Sequence, residues 1–227
     1  MWGFEVGARN LPYYFPVKLC CWLFFRLRFS LQVTGQEHVP RLGGVIVASN
    51  HASFFDPPLV GVACPRRLRF LARADLFANP ALAFFMRSVR VVPLRRGEAD
   101  VGAIRTALAL LGAGESIAIF PEGGRQQSGR LGAAKRGVGV LADLSGAPIV
   151  PALVTGSYDA LPPDATRLGA SKIRVAFGPP ISYTATPLPA GLPDDHARAH
   201  RRRELLAEAV TDAWHRLAAQ QKGSPTA

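Results

Sequence analysis

The 227-residue chain is short of acid, of cysteine and of long uninterrupted apolar runs, and each shortage removes a class of function. Only 16 Asp and Glu stand against 27 Lys and Arg, which leaves a net charge of +11 at pH 7. Such a field attracts anions: nucleic acid, an anionic lipid surface or phosphorylated small molecules. The three cysteines, Cys20, Cys21 and Cys64, have no metal-ligand spacing, and neighbouring cysteines rarely bridge each other. A disulfide scaffold is therefore not expected, a reducing compartment suits the chain, and Cys20 and Cys21 are expected to be buried apolar thiols rather than lipidated ones. Charged residues make up 19% of the chain and hydrophobic ones 48%, which excludes a disordered polymer. No internal repeat is visible, and no secretory signal is expected at the N-terminus. No phosphate-binding glycine loop follows a strand: Gly112 and Gly114 in LLGAGES end one helix and open the next strand.

What is there begins with Leu11 to Phe25, LPYYFPVKLCCWLFF, apolar and aromatic but interrupted by Pro16 and Lys18 and followed by Arg26 and Arg28. A spanning helix needs about 20 apolar residues. Two readings are open: a helix lying in the membrane interface, where Tyr, Trp and flanking cations are favoured, or a terminal helix packed on the domain's own core. From Leu27 the period changes, with Leu27, Phe29, Leu31 and Val33 alternating with Arg28, Ser30 and Gln32, the pattern of a half-buried strand.

Further strands are predicted at residues 45–49, 68–72, 89–94, 116–120, 149–154 and 173–177, with helices at 57–63, 80–86, 98–111 and 136–144. This alternation predicts an α/β fold: a single layered domain with a largely parallel central sheet flanked by helices, plus the apolar N-terminal helix. The expected organisation is a membrane-interface segment over 1–26, the domain over 27–190, and a C-terminal helix and tail over 191–227. Arg201, Arg202 and Arg203 in that helix read as a solvated face or as a helix start near acidic lipid. Ligand sites in such sheets gather beyond the strands' carboxyl ends, so the exit loops carry the chemistry.

The first exit loop is in SNHASFFDPPLV. His51 and Asp56 are five residues apart, and on a helix they would diverge, since neighbours on one face recur at three or four. Aspartate before two prolines instead marks a helix N-cap, with His51 in the loop before it. A carboxylate reaching one imidazole nitrogen would make the other a general base; an ordinary loop histidine beside a capping aspartate is the plainer reading.

The second exit loop, FPEGGRQQSGRLGAAKRG, gathers Glu122, Arg125, Arg130, Lys135 and Arg136 among glycines that let backbone approach a ligand. Glu122 could accept a hydroxyl's hydrogen bond and the cations could hold a phosphate, or the stretch could be a solvated turn. A third cluster, Arg95 and Arg96, ends the strand in VRVVPLRRGEAD, with the donors that anion capture needs.

Four ordered motifs now resemble those of the phospholipid/glycerol acyltransferases, of which the 1-acylglycerol-3-phosphate acyltransferases are representative. They are Asn50-His51 with Ser53 and Asp56; RVVPLRR, which aligns Arg96 with the motif arginine; Phe120-Pro121-Glu122-Gly123-Gly124-Arg125; and Val150-Pro151 in a late strand. Arg90 stands where the second motif has glycine and Gly124 where the third has threonine; both departures bear on the acceptor pocket, so they leave the acceptor open. The resemblance runs from about Val33 to Gly178.

It implies transfer of a fatty acyl group from acyl-CoA or acyl carrier protein to a hydroxyl of a lysophospholipid, with 1-acylglycerol-3-phosphate the first candidate and phosphatidic acid the product. His51 would be the base and Asp56 its support; Glu122, Gly123 and Arg125 would hold the acceptor's head, and Arg96, with Arg95, its phosphate. No metal and no bound cofactor is implied, and Ser53 is not needed as a nucleophile. The setting implied is the cytoplasmic face of a membrane, occupied monotopically. The rivals are a thioesterase, a transferase for another lipid acceptor, and a non-catalytic module on anionic membrane. No nucleic-acid-binding motif is present, which argues against nucleic acid as a partner.

Overall fold

The structure, a computed structural model, describes residues 14–73, 77–88, 91–94, 99–165 and 167–223. In chain order the elements are α1 (Tyr14–Phe29), β1 (Gln32–Thr34), β2 (Val45–Ser49), α2 (Asp56–Ala63), β3 (Leu68–Arg73), α3 (Pro80–Ser88), β4 (Val92–Leu94), α4 (Ala99–Gly112), β5 (Ser116–Ile119), α5 (Gly137–Ser145), β6 (Ile149–Thr155), α6 (Ser157–Ala160), β7 (Arg174–Phe177) and α7 (Asp195–Gly223). The strands form one sheet in the order β1-β7-β6-β2-β5-β3-β4. Every neighbouring pair is parallel except β6 with β7.

The central strand β2 shows why the sheet is covered on both faces. All five of its residues are buried, as a parallel strand between helical layers requires. Side chains alternate across the pleat. Val45 and Val47 pack with Phe25, Phe29, Leu59 and Val60 of α1 and α2, while Ile46 and Ala48 pack with Leu110, Leu141, Leu206 and Trp214 of α4, α5 and α7. Trp214 is fully buried, and its indole N–H donates to the Ala48 carbonyl at 3.1 Å, tying α7 to the strand that leads into the first exit loop. Gly139 of α5 lets α7 close in, because a Cβ there would lie 2.2 Å from the Arg203 carbonyl oxygen. This is the α/β layered domain that the alternation predicts.

Three local expectations are corrected. The strand expected from Leu27 begins only at Gln32, because α1 continues to Phe29. Phe25 and Phe29, one turn apart, are both buried while Leu27 is 81% exposed, so the apolar alternation conceals a helical spacing. Ser30, with a left-handed φ of 49°, ends the helix. The boundary at 26/27 thus falls inside α1, and removing the Phe29 ring would cost about 3–5 kcal/mol. Among the cysteines, only Cys64 is buried; Cys21 is half-buried and Cys20 exposed. The three arginines of α7 find protein partners: Arg201 bonds Glu204 and Glu208, Arg202 stacks on Tyr183, and Arg203 bonds Asp143.

Candidate active site

β2 delivers the first exit loop, and Asn50 fixes where it leaves. The Asn50 side chain is buried and pairs with Val154 of β6 in both directions: its amide donates to the Val154 carbonyl at 3.0 Å and its carbonyl accepts the Val154 N–H at 2.8 Å. That extends the β2–β6 ladder by one side chain before the chain turns.

The turn closes on Asp56. Its Oδ2 accepts His51 Nδ1 at 3.0 Å, the Ala52 N–H at 2.6 Å and the Ser53 N–H at 2.7 Å, with the residue fully buried. The expected N-cap is therefore corrected: α2 starts at Asp56 itself, Phe55 occupies the cap position, and no side chain caps the helix. Pro57 and Pro58 have no N–H to be capped, so the carboxylate is free to turn back into the loop. Oδ1 has no hydrogen-bond partner among the described residues. Ser53 is fully buried and donates its hydroxyl to the Leu161 carbonyl at 2.7 Å, which makes it a brace for the turn.

A carboxylate at Nδ1 keeps the ring proton there and leaves the lone pair on Nε2. Among the described residues no hydrogen bond engages Nε2, and 17% of the His51 side chain remains accessible. The ring stacks on Phe120, the first residue of the second exit loop, at 4.3 Å and 27°. The pairing expected from the five-residue spacing is thus present, and its geometry suits a base facing a substrate.

The second loop grips the backbone of His51 from both sides. Glu122 Oε2 accepts the His51 N–H at 2.7 Å, and the Gln126 N–H donates to the His51 carbonyl at 2.8 Å. The other Glu122 oxygen accepts the Gly132 N–H at 2.8 Å. Both oxygens of this buried carboxylate are thus engaged by backbone, which places Glu122 as a clamp between the two loops. Burial pushes its pKa up, although the two N–H donors oppose the shift.

Gly123 has a φ of +80°, which strains any residue with a side chain, whereas the Lys135 ammonium 2.5 Å from the position of a Cβ is the end of a flexible chain that could move aside. Gly124, by contrast, faces open space. Arg125 is half-buried; its guanidinium carbon sits 3.7 Å from the Phe54 ring centroid and Nη1 is 3.4 Å from the Pro163 carbonyl oxygen. Arg95, Arg96 and Arg90 lie outside the described residues.

A loop turn that presents a carboxylate-backed histidine, clamped by a glutamate from a glycine- and arginine-rich loop, accounts for two of the four ordered motifs in space. The acyltransferase family pattern matches residues 30–155, more than half of the chain. The chain belongs to the acyltransferase family. It is 28% identical over 177 residues to the chloroplastic 1-acyl-sn-glycerol-3-phosphate acyltransferase LPAT1 of Arabidopsis thaliana, covering 76% of this chain and 49% of that protein. Against the 1-acyl-sn-glycerol-3-phosphate acyltransferase of Bacillus subtilis it is 30% identical over 131 residues, 57% of this chain and 65% of that protein. The chain spans roughly half to two thirds of the length of these relatives. Among solved structures, the 1-acyl-sn-glycerophosphate acyltransferase PlsC of Thermotoga maritima shares the fold with a TM-score of 0.65 at 22% identity, over 88% of this chain and 79% of that one.

Sequence reasoning named His51, Asp56, Glu122 and Arg125 but gave no role to Asn50, Phe54 or Phe120. Each acts through a partner 69 to 104 positions away (His51 and Phe120 are 69 apart, Phe54 and Arg125 are 71), a relation that no local pattern carries.

Proposed function

We propose that this chain transfers a fatty acyl group from a thioester, acyl-CoA or an acyl carrier protein, to a hydroxyl of a lysophospholipid, with 1-acylglycerol-3-phosphate as the acceptor and phosphatidic acid as the product. The observation that carries this reading is the 3.0 Å contact between His51 Nδ1 and the buried Asp56 carboxylate, with Nε2 left unbonded among the described residues. Nε2 takes the acceptor's hydroxyl proton as that oxygen attacks the thioester carbonyl. The tetrahedral intermediate collapses, the carbon–sulfur bond breaks, and the departing thiolate takes the proton back from the imidazolium. Asp56 stabilises the cation in between. General base catalysis of this kind contributes roughly 10²- to 10⁴-fold.

Ser53 has no part as a nucleophile, since its hydroxyl is buried and already donated. No bound cofactor enters the scheme. Arg125 holds the acceptor's phosphate, the sequence motif assigns Arg96, with Arg95, to the same anion, and the clamp by Glu122 keeps His51 in place.

The acceptor is a bilayer lipid, so the chain works at a membrane surface, on the cytoplasmic leaflet. Among the described residues no helix is long and apolar enough to cross a membrane. α1 instead exposes Phe15, Leu19, Trp22, Leu23, Phe24 and Leu27 while docking through Phe25 and Phe29, the two-sided character of an interfacial helix. The net charge of +11 adds attraction to anionic lipid. The deciding experiment follows thiol release from acyl-CoA by the purified chain with and without 1-acylglycerol-3-phosphate. Release that requires the acceptor is expected; the same rate without it would make the protein a thioesterase.

A further inference from the structure

Phe54 and Phe55 are adjacent on the catalytic turn and have opposite fates. Phe55 joins an aromatic cluster with Phe24, Phe25 and Phe29 at centroid distances of 5.2 to 6.1 Å. Phe54 is 58% exposed and takes no part in either buried core cluster. An exposed phenylalanine on a tightly bonded turn adds nothing to the core. Its ring face carries the Arg125 guanidinium, whose central carbon is 3.7 Å from the ring centroid, well inside the distance at which a cation is held over an aromatic face.

We propose that Phe54 is a positioning residue for the acceptor, acting through Arg125. Phe54 fixes the plane of the guanidinium by stacking, and the Pro163 carbonyl at 3.4 Å from Nη1 fixes its rotation in that plane. No other hydrogen bond engages Arg125 among the described residues, so Nε and Nη2 keep donors for an anion. A planar fork held in this way suits two oxygens of one phosphate. An arginine that is already oriented loses less side-chain freedom when the phosphate arrives, which raises affinity without adding a contact. The arrangement also couples recognition to chemistry, because Phe54 lies between His51 and Asp56 on the turn that holds the base. The inference rests on the reading of Arg125 as a phosphate ligand.

The test is a double-mutant cycle read in Michaelis constants. Phe54→Leu keeps apolar bulk and removes the π face; it should raise the KM for 1-acylglycerol-3-phosphate roughly three- to tenfold. The effect should fall on that constant rather than on kcat or on the KM for acyl-CoA. Phe54→Trp, with a stronger π face, should restore the wild-type constant. Arg125→Ala should raise the acceptor KM further, and adding Phe54→Leu to it should change nothing more. If Phe54→Leu leaves the acceptor KM unchanged while Arg125→Ala raises it, the positioning role is wrong and the phosphate reading stands. Equal effects of Phe54→Leu with and without Arg125 would also overturn the proposal, since Phe54 would then act independently. An unchanged acceptor KM in Arg125→Ala would overturn the phosphate reading and the proposal with it.

Discussion

The inner and outer halves of the site are built in opposite ways. In the inner half, Asn50 to Asp56, the polar groups are spent on the protein: Asn50 bonds Val154 twice, Asp56 Oδ2 accepts three donors, and the His51 backbone is gripped at both its N–H and its C=O. In the outer half, Gly124 to Arg130, Gly124 faces open space and Arg125 is held by one aromatic face and one long contact. The base has to be held to within a fraction of an ångström, whereas the cations have to remain available to a ligand. Rigidity is therefore found around the proposed base, and reach around the proposed phosphate ligand.

The contrast is broken most severely at His51. His51→Ala should lower kcat by roughly 10²- to 10⁴-fold with an unchanged circular dichroism spectrum, because the ring is stacked on one face only and is not among the buried core residues. Asp56→Asn should lower kcat less. The amide oxygen can still take the three donors, while the amide nitrogen would occupy the position of Oδ1, which has no partner. The lost charge then weakens support for the imidazolium, and the buried N–H₂ costs about 1–3 kcal/mol of stability. A full-rate His51→Ala enzyme would remove the scheme.

Glu122 sharpens the comparison because it belongs to the inner half although its sequence places it in the arginine loop. A glutamine can accept from only one of the two backbone donors that Glu122 satisfies. Glu122→Gln should therefore lower kcat by about tenfold, the cost of a misplaced base, and leave the acceptor KM within about twofold. A selective rise in the acceptor KM would instead return Glu122 to the ligand side. Its pKa also has a consequence for stability. Burial raises the folded-state value above the unfolded one, so the stabilising contribution is fully present below the unfolded pKa and is lost as pH rises through the folded value. The melting temperature of the wild type relative to Glu122→Gln should accordingly fall as pH rises above the ordinary carboxylate range; a constant difference would contradict the shift.

The smallest effect is expected far from the site. Changing Leu19, Leu23 and Leu27 of α1 to glutamine leaves Phe25 and Phe29 docked, so the fold should survive while sedimentation with anionic vesicles drops several-fold, and high salt should lower it again. Unchanged binding under both conditions would move the membrane contact away from α1.

Much of the architecture is legible in the sequence because β2, β5 and β6 are apolar runs bounded by turn residues, and because Asp56 before Pro57 marks a helix start that leaves His51 in the loop before it. Less legible are features that depend on what is missing or distant. The absent N–H groups of Pro57 and Pro58 release Asp56 from capping, and Leu27 alternates with Phe29 whether the backbone is helical or extended. The clamp needs Gly132 to return beside Glu122, where a Cβ on Gly132 would lie 3.1 Å from the Glu122 carboxylate. That close approach is set by the path of the whole loop, and a glycine ten positions downstream does not announce it.

If the acceptor's own oxygen attacks the thioester while His51 takes its proton, the enzyme is never acylated. The direct measurement is the intact mass of the protein after incubation with acyl-CoA alone, followed by addition of 1-acylglycerol-3-phosphate. The account predicts an unchanged protein mass in the first step and acylated lipid only in the second. A protein heavier by one acyl chain, returning to its original mass as the lipid forms, would contradict it.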